Sequence, residues 1–547
     1  MGEKQKNAKK VFFSGVLLLS LSTLFVKLIG LLYKIPMLSY LGSEGMGYFH
    51  SAYEIYALFC IIATAGLPVA LSVLISEALA KQEQGAVTRI YRSAMTVFLL
   101  LGTFGMLVMW LGAGLFCRWL RSENAYACMI SIAPTVFCVC ISSAVRGYFQ
   151  GFQKMLPTAI SQLIEAVGKL VFGLLFAHIA LENGYATPQI AAAAGWGLTL
   201  GAALSTLYLV LAKHRFDHAN KMETTKSLSA SSIDSHKIRV RLARLAIPMT
   251  FGASLLSFTK LLDMTMILRR LQSIGYTESG ANEAFGSYTT LALSVYGLIP
   301  TLLNSLFLPL VPMLSAAIAA GKREKQNEIV ATCYRLTAFC ALPASVGLSA
   351  FSRPILSILF SNEPEAVALA APLLSTLGVS VFLSCMISAT NSVLHAYQEV
   401  NKPIFSMFCG TIVKAIVAYV LIGNASVGII GAPVSTLLCN MTVVTLNFIF
   451  CMPVCKKIPF FKAFFRPLGL SLLSVGSSYC LYLFLCDRMG ESSIPGISCI
   501  LVAMLLYAML SLLGGALSKE DICSLPMGER LWRLLCRLHL CNVEKEC

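Results

Sequence analysis

Charge is what this sequence has least of. Only 12% of its 547 residues are Asp, Glu, Lys or Arg, about half the roughly 25% of a soluble domain. The acids are the scarcer sign, 26 against 42 bases. So little charge on so long a chain excludes a water-soluble globule, and no gap between apolar runs would hold an ordinary soluble domain. The phosphate-cradling GxxxxGK[ST] pattern is absent, which excludes P-loop hydrolysis of ATP. GxSxG, the nucleophile turn of serine hydrolases, is missing too, and the acids are too scattered for a glycosidase pair. The 19 cysteines form no CxxC pair and no Cys/His spacing suited to zinc. Cys117, Cys128, Cys138 and Cys140 lie inside apolar runs, where free cysteine behaves as a small hydrophobe. The expectation is therefore a chain with no catalytic residue, no metal and no cofactor, and not an enzyme.

What the sequence has instead is hydrophobic length. Residues of the hydrophobic classes make up 57% of it, and the mean hydropathy is +0.76. A spanning helix needs roughly 20 mostly apolar residues, and such stretches recur from residue 11 to residue 517. The first follows Lys4 to Lys10; with no small-x-small cleavage site and too long an apolar run, it reads as a span and not as a signal peptide. The pattern predicts an all-α polytopic membrane protein of about fourteen transmembrane helices. Of the 42 lysines and arginines, 31 fall on one side of that topology and 6 on the other, with five lysines inside spans. The basic side faces the cytoplasm, so both termini are expected there, in a bacterial inner membrane. Topology thus accounts for the net charge of +16, since basic loops favour the anionic inner leaflet. Nucleic-acid binding is not expected.

The two halves repeat. Tyr91-Arg92 recurs as Tyr334-Arg335, and Cys140, Ala144, Gln153 and Lys169 recur as Cys385, Ala389, Gln398 and Lys414. Six spans per repeat give two parallel lobes, a plan that secondary transporters use. The expected parts are an N-terminal lobe over 1–212, a cytoplasmic linker over 213–238 and a C-terminal lobe over 239–455. A final helix pair follows over 456–517, and then a tail over 518–547. In that tail Leu531, Leu534, Leu535 and Leu538 share one helical face and Arg530, Arg533 and Arg537 another. This suits a helix lying on the inner leaflet or one that binds a partner.

Two segments carry a resemblance. LGSEGMGYFHSAYEIYALFCIIATAGLPVALSVLISE (41–77) resembles the first-loop and second-helix signature of polysaccharide and lipid-linked oligosaccharide exporters. SAVRGYFQGFQKMLPTAISQLIEAVGKL (143–170) is similar to the stage V sporulation protein B family. That family stands with MurJ-type and Wzx-type flippases in the multidrug/oligosaccharidyl-lipid/polysaccharide exporter superfamily. The resemblance implies two six-helix lobes that open alternately to either side, with extra helices at the end. It also implies a basic residue, two aliphatics and a glycine in the first helix, which Lys27-Leu28-Ile29-Gly30 supplies with Lys34 beyond. The family pattern has arginines there and differs by one residue in spacing.

Charges inside spans are costly and mark function. The bases are Lys27, Lys34, Lys169, Lys260 and Lys414; the acids are Glu54, Glu165 and Asp263. Lys27 and Lys34, two turns apart, share a face, and Lys260 takes the equivalent place in the second half. These three are the expected binding site for an anionic headgroup, with snorkelling to the interface as the alternative for Lys34 and Lys27. Asp263 either neutralises Lys260 or binds a coupling ion, and Glu54 is the second candidate for such an ion. Glu165 and Lys169, at i, i+4, are expected to form a structural ion pair. His50 is expected to be structural.

The expected function is translocation of a lipid-linked oligosaccharide or polysaccharide precursor, for peptidoglycan or spore cortex, by alternating access. Its partners would be that precursor, membrane lipids and proteins of cell-wall synthesis. A multidrug exporter of the same superfamily, or a membrane scaffold or polymerase for cell-wall glycan, are the alternatives. An exporter of cationic drugs would want acidic cavities, and a polymerase would want a large outer loop with a catalytic acid.

Overall fold

The computed structural model describes residues 2–81, 84–219, 235–307, 310–452, 464–489 and 493–513. The centre of the expected linker and the amphipathic tail lie outside them. Among the described residues there is no strand. Two compact units meet in sequence at Thr290/Leu291.

Among the described residues the first unit holds nine α-helices. They are α1 (Gly2–Thr64), α2 (Leu67–Ala80), α3 (Gln84–Leu111), α4 (Ala113–Leu120), α5 (Tyr126–Gly151), α6 (Leu156–Glu182), α7 (Thr187–Ala219), α8 (Ser235–Ser273) and α9 (Glu278–Ser287). The second holds α10 (Leu293–Phe307), α11 (Leu310–Ala319), α12 (Arg323–Ala350), α13 (Ser352–Leu359), α14 (Pro364–Ala396), α15 (Asn401–Ile422), α16 (Gly431–Cys451), α17 (Arg466–Met489) and α18 (Ser493–Leu513). Helices α8 and α9, which the sequence repeat assigns to the second half, therefore pack with the first unit.

Eleven helical runs among the described residues are long and apolar enough to cross a membrane. This is a multi-pass membrane protein. The run from Phe25 to Ala80 counts as one of the eleven although it doubles back. Gly42 sits at φ 64°, ψ 176° in the middle of α1, a left-handed conformation that glycine alone adopts freely. The rings of Tyr33 and Phe49 consequently come within 6.4 Å, where sixteen residues of straight helix would set them about 24 Å apart. The expected loop between spans one and two is thus a single-residue reversal. Neither α8 nor the α10–α11 region is among the eleven.

Outward faces are greasy throughout. On α18, Leu501, Met504 and Leu505 are 54, 65 and 71% exposed, a contiguous apolar surface that only lipid tolerates. Inside the first unit, small residues bring helices to backbone contact, the packing that membranes favour. A Cβ on Gly197 of α7 would lie 2.3 Å from the Cα of Gly173 on α6. Hydroxyls tie α7 to both α5 and α6: Thr135 and Thr199 lie 2.7 Å apart, and Ser205 donates to the Ser161 carbonyl at 2.8 Å. This frame fixes α6, the helix that carries Glu165 and Lys169.

Candidate functional site

The charged residues singled out in the first half of the sequence converge in the first unit. Lys34 lies within electrostatic reach of Lys169, Glu54 and Lys260. His50 has Lys34, Lys169 and Lys260 as its charged neighbours, and Glu54 has Lys260, Lys34 and Asp263. Lys27 faces Lys260. Three separate stretches of chain, on α1, α6 and α8, therefore contribute to one cluster of four lysines and two carboxylates. Lys27 and Lys34 of α1 each lie within electrostatic reach of Lys260 of α8.

The reversal at Gly42 creates the cluster's first wall. It folds α1 so that Lys34 of its first arm comes within electrostatic reach of His50 and Glu54 of its second. Lys34 donates to the carbonyl of Thr289 at 3.2 Å. Thr289 belongs to a π-helical segment, Tyr288–Ala292, of the kind that recurs at functional sites. Several polar atoms nearby are buried without a hydrogen-bond partner among the described residues, including Glu54 Oε2, His50 Nε2, Ser51 Oγ and Tyr33 OH. Each such group costs on the order of 1–3 kcal/mol while it stays unbonded.

Glu165 lies within electrostatic reach of Lys169, but its close ion pair is made with another residue. Glu165 Oε2 takes the Arg146 guanidinium at 2.8 Å. Arg146 Nε donates to Ser161 Oγ at 3.0 Å, and its Nη2 also lies 3.3 Å from Ser205 Oγ. The planar fork of arginine satisfies an acceptor on each of two helices where an ammonium would satisfy fewer. Arg146 thereby pins α5 to α6 and α7. Lys169 turns instead to aromatic faces. Its Nζ lies 4.9 Å from the Tyr33 ring centroid, 5.0 Å from Tyr53 and 5.7 Å from Phe49, an attraction of about 0.5–2 kcal/mol per good contact. With Glu165 neutralised by Arg146, Lys169 joins the cluster as a fourth cation. Its place as a base inside an apolar span was the signal in the sequence that could have found it. Lys414, its counterpart in the repeat, is buried on α15 of the second unit.

Helix α8 is held at both ends. At one, Arg241 pairs with Glu77 of α2 at 2.6 Å, with both side chains well exposed. At the other, the connected helix α9 meets the second arm of α1 backbone to backbone. A Cβ on Gly47 would fall 2.1 Å from the Asn282 carbonyl oxygen, and one on Gly286 would fall 1.8 Å from that of Ser43. Hydrogen bonds finish this second tie. Asn124 N–H donates to Glu278 at 2.9 Å, Asn124 Nδ2 to Tyr48 OH at 3.2 Å, Tyr48 OH to Glu44 at 2.6 Å and Ser122 Oγ to Asn282 Oδ1 at 3.0 Å.

A family model described as polysaccharide biosynthesis protein matches residues 12–318, more than half of the chain. The chain belongs to this family. A second model, MatE, matches residues 285–420. The lipid II flippase MurJ of Bacillus subtilis (strain 168) is 24% identical over 427 residues, covering 75% of this chain and 77% of that protein. Stage V sporulation protein B of the same organism is 25% identical over 446 residues, 80% of this chain and 83% of the relative. Among solved structures, a lipid II flippase MurJ in an inward closed conformation superposes with a TM-score of 0.69 at 16% identity, covering 90% of this chain and 98% of that one. The resemblance read from 41–77 and 143–170 is therefore correct. The fold is that of the MurJ and multidrug-exporter superfamily, whose members are transporters and not enzymes.

Proposed function

We propose that this family member translocates a lipid-linked oligosaccharide or polysaccharide precursor across the bacterial inner membrane, for peptidoglycan or spore cortex, by alternating access. The observation that carries this reading is the sign of the cluster: four lysines against two carboxylates, Glu54 and Asp263, at the junction of α1, α6 and α8. A pyrophosphate-type headgroup carries negative charge that cannot enter hydrocarbon unpaired, and Lys27, Lys34 and Lys260 would offer it charge-assisted hydrogen bonds. Glu54 and Asp263 are the candidates for a coupling ion. The names of the MurJ and sporulation relatives support the substrate class. The chain's two-lobe repeat and fourteen crossings, with both termini cytoplasmic, form part of the same proposal. Cell-wall synthesis proteins are the partners expected to hand over and take the precursor.

The two ties on α8 suit alternating access because they differ in strength. An exposed pair such as Arg241–Glu77 contributes about 0.2–1 kcal/mol. The α9 tie adds several hydrogen bonds of about 0.5–1.5 kcal/mol each to close glycine packing. By the charge count of the loops the weaker tie is cytoplasmic, so the site opens more easily to the side where the precursor is made.

The MatE match over 285–420 supports the second reading, a multidrug exporter. The lysine excess disfavours it for cationic drugs. In a strain deleted for its own drug pumps, expression of this protein is expected to give no protection against lipophilic cations such as ethidium. A raised tolerance that depends on Glu54 and Asp263 would favour drug export instead.

A further inference from the structure

The first unit contains a cavity of about 620 Å³ that the lysine cluster does not use. Its walls come from the second arm of α1 (Ile55, Phe59), from α4 (Phe116, Trp119) and from α8 (Leu261), and its one charged lining residue is Arg118. That volume falls within the about 300–1,000 Å³ typical of pockets that enclose small ligands. Two of the wall residues are the immediate neighbours of cluster residues: Ile55 follows Glu54 and Leu261 follows Lys260. The cavity therefore lies against the same two helices that carry the headgroup site, on adjoining faces.

Helix α4 forms one side of this open pocket. Arg121, in a left-handed conformation (φ 54°), ends it, and it buries Ala113, Cys117 and Leu120 on one face. On the other, Leu115 and Trp119 are 70 and 42% exposed. Arg118 is exposed in its last turn and has no acidic partner among the described residues. Apolar walls beside a single guanidinium match a hydrocarbon chain that ends in a phosphate.

We propose that this cavity binds the lipid anchor of the translocated precursor, with the first isoprenoid units between α1, α4 and α8 and the phosphate on Arg118. This rests on the transport reading above. It solves a problem that the lysine cluster leaves open: while a headgroup crosses between α1 and α8, its chain must stay in an apolar phase. A pocket on the neighbouring faces of those helices supplies that phase. Arg118 then receives the phosphate as it leaves the lysines.

Trp119 reports on the cavity directly. Full-length protein with Trp119 as its only tryptophan (Trp110→Phe, Trp196→Phe, Trp532→Phe), in phosphatidylcholine nanodiscs, is titrated with a polyprenyl pyrophosphate brominated in the units next to the phosphate. Saturable quenching is expected, with about tenfold weaker apparent affinity in Arg118→Gln and recovery in Arg118→Lys. Brominated phosphatidylglycerol should quench no more than the phosphatidylcholine background. Equal quenching by both lipids, or none that saturates, overturns the proposal. Retention of the same lipid on the purified protein is measured in parallel. Lipid retained without quenching of Trp119 removes this pocket alone; no retention at all removes the transport reading with it.

Discussion

Lys27→Ala and Lys260→Ala are each expected to abolish precursor transport while protein levels in the membrane stay normal. Both side chains are exposed, so truncation opens no hole in the packing and leaves folding intact. What it removes is one charge-assisted contact to the headgroup, worth about 1.5–3 kcal/mol, or on the order of 10- to 100-fold in affinity. Lys27→Arg keeps the charge and should retain most transport. Lys169→Ala should differ in kind, because Lys169 holds the rings of Tyr33, Phe49 and Tyr53, and its loss should lower thermal stability as well as transport. Complementation, with membrane levels read by immunoblot, checks the set. Full transport in both alanine variants would remove the cationic headgroup site.

The second large effect concerns the driving force. An empty cluster with four lysines and two carboxylates carries net positive charge, and unpaired charge in a closing cleft opposes closure. A bound anionic headgroup would neutralise it and permit the change to the outward-open form. After release, a potential negative inside would pull the empty, positive site back towards the cytoplasm. Moving one elementary charge through 100 mV is worth about 2.3 kcal/mol, roughly a fiftyfold bias in a two-state equilibrium. Collapsing the potential with valinomycin and high potassium, at constant pH and sodium, should therefore slow flipping by more than tenfold. Unchanged flipping, with loss on removing sodium or the pH gradient, would transfer the coupling to Glu54 or Asp263.

The sequence showed the site's charges but not their partners. Lysines in apolar spans stand out because insertion is costly. Which acid takes which base depends on the third dimension. The i, i+4 spacing of Glu165 and Lys169 suggested a pair, yet Arg146, on another helix, reaches the carboxylate first with better geometry. The cage of Tyr33, Phe49 and Tyr53 was invisible for the same reason: two arms of α1 build it only after Gly42 reverses the chain. Gly42 itself lies in a segment that hydropathy reads as a loop. The tie between the second arm of α1 and α9 depends on glycines at 47 and 286, whose meaning is a distance between backbones. Composition along one chain does not encode such distances, whereas apolar length and charge excess are sums along it.

The most direct measurement is flipping itself. Purified protein is reconstituted into proteoliposomes with a fluorescent lipid-linked oligosaccharide, and a membrane-impermeant reagent reports the fraction of label exposed outside over time. Wild-type protein should move the label much faster than empty liposomes, and the Lys27→Ala and Lys260→Ala proteins should fall to the empty-liposome rate. Wild-type protein no faster than empty liposomes, with Lys27→Ala and wild type indistinguishable, would contradict translocation by this cluster.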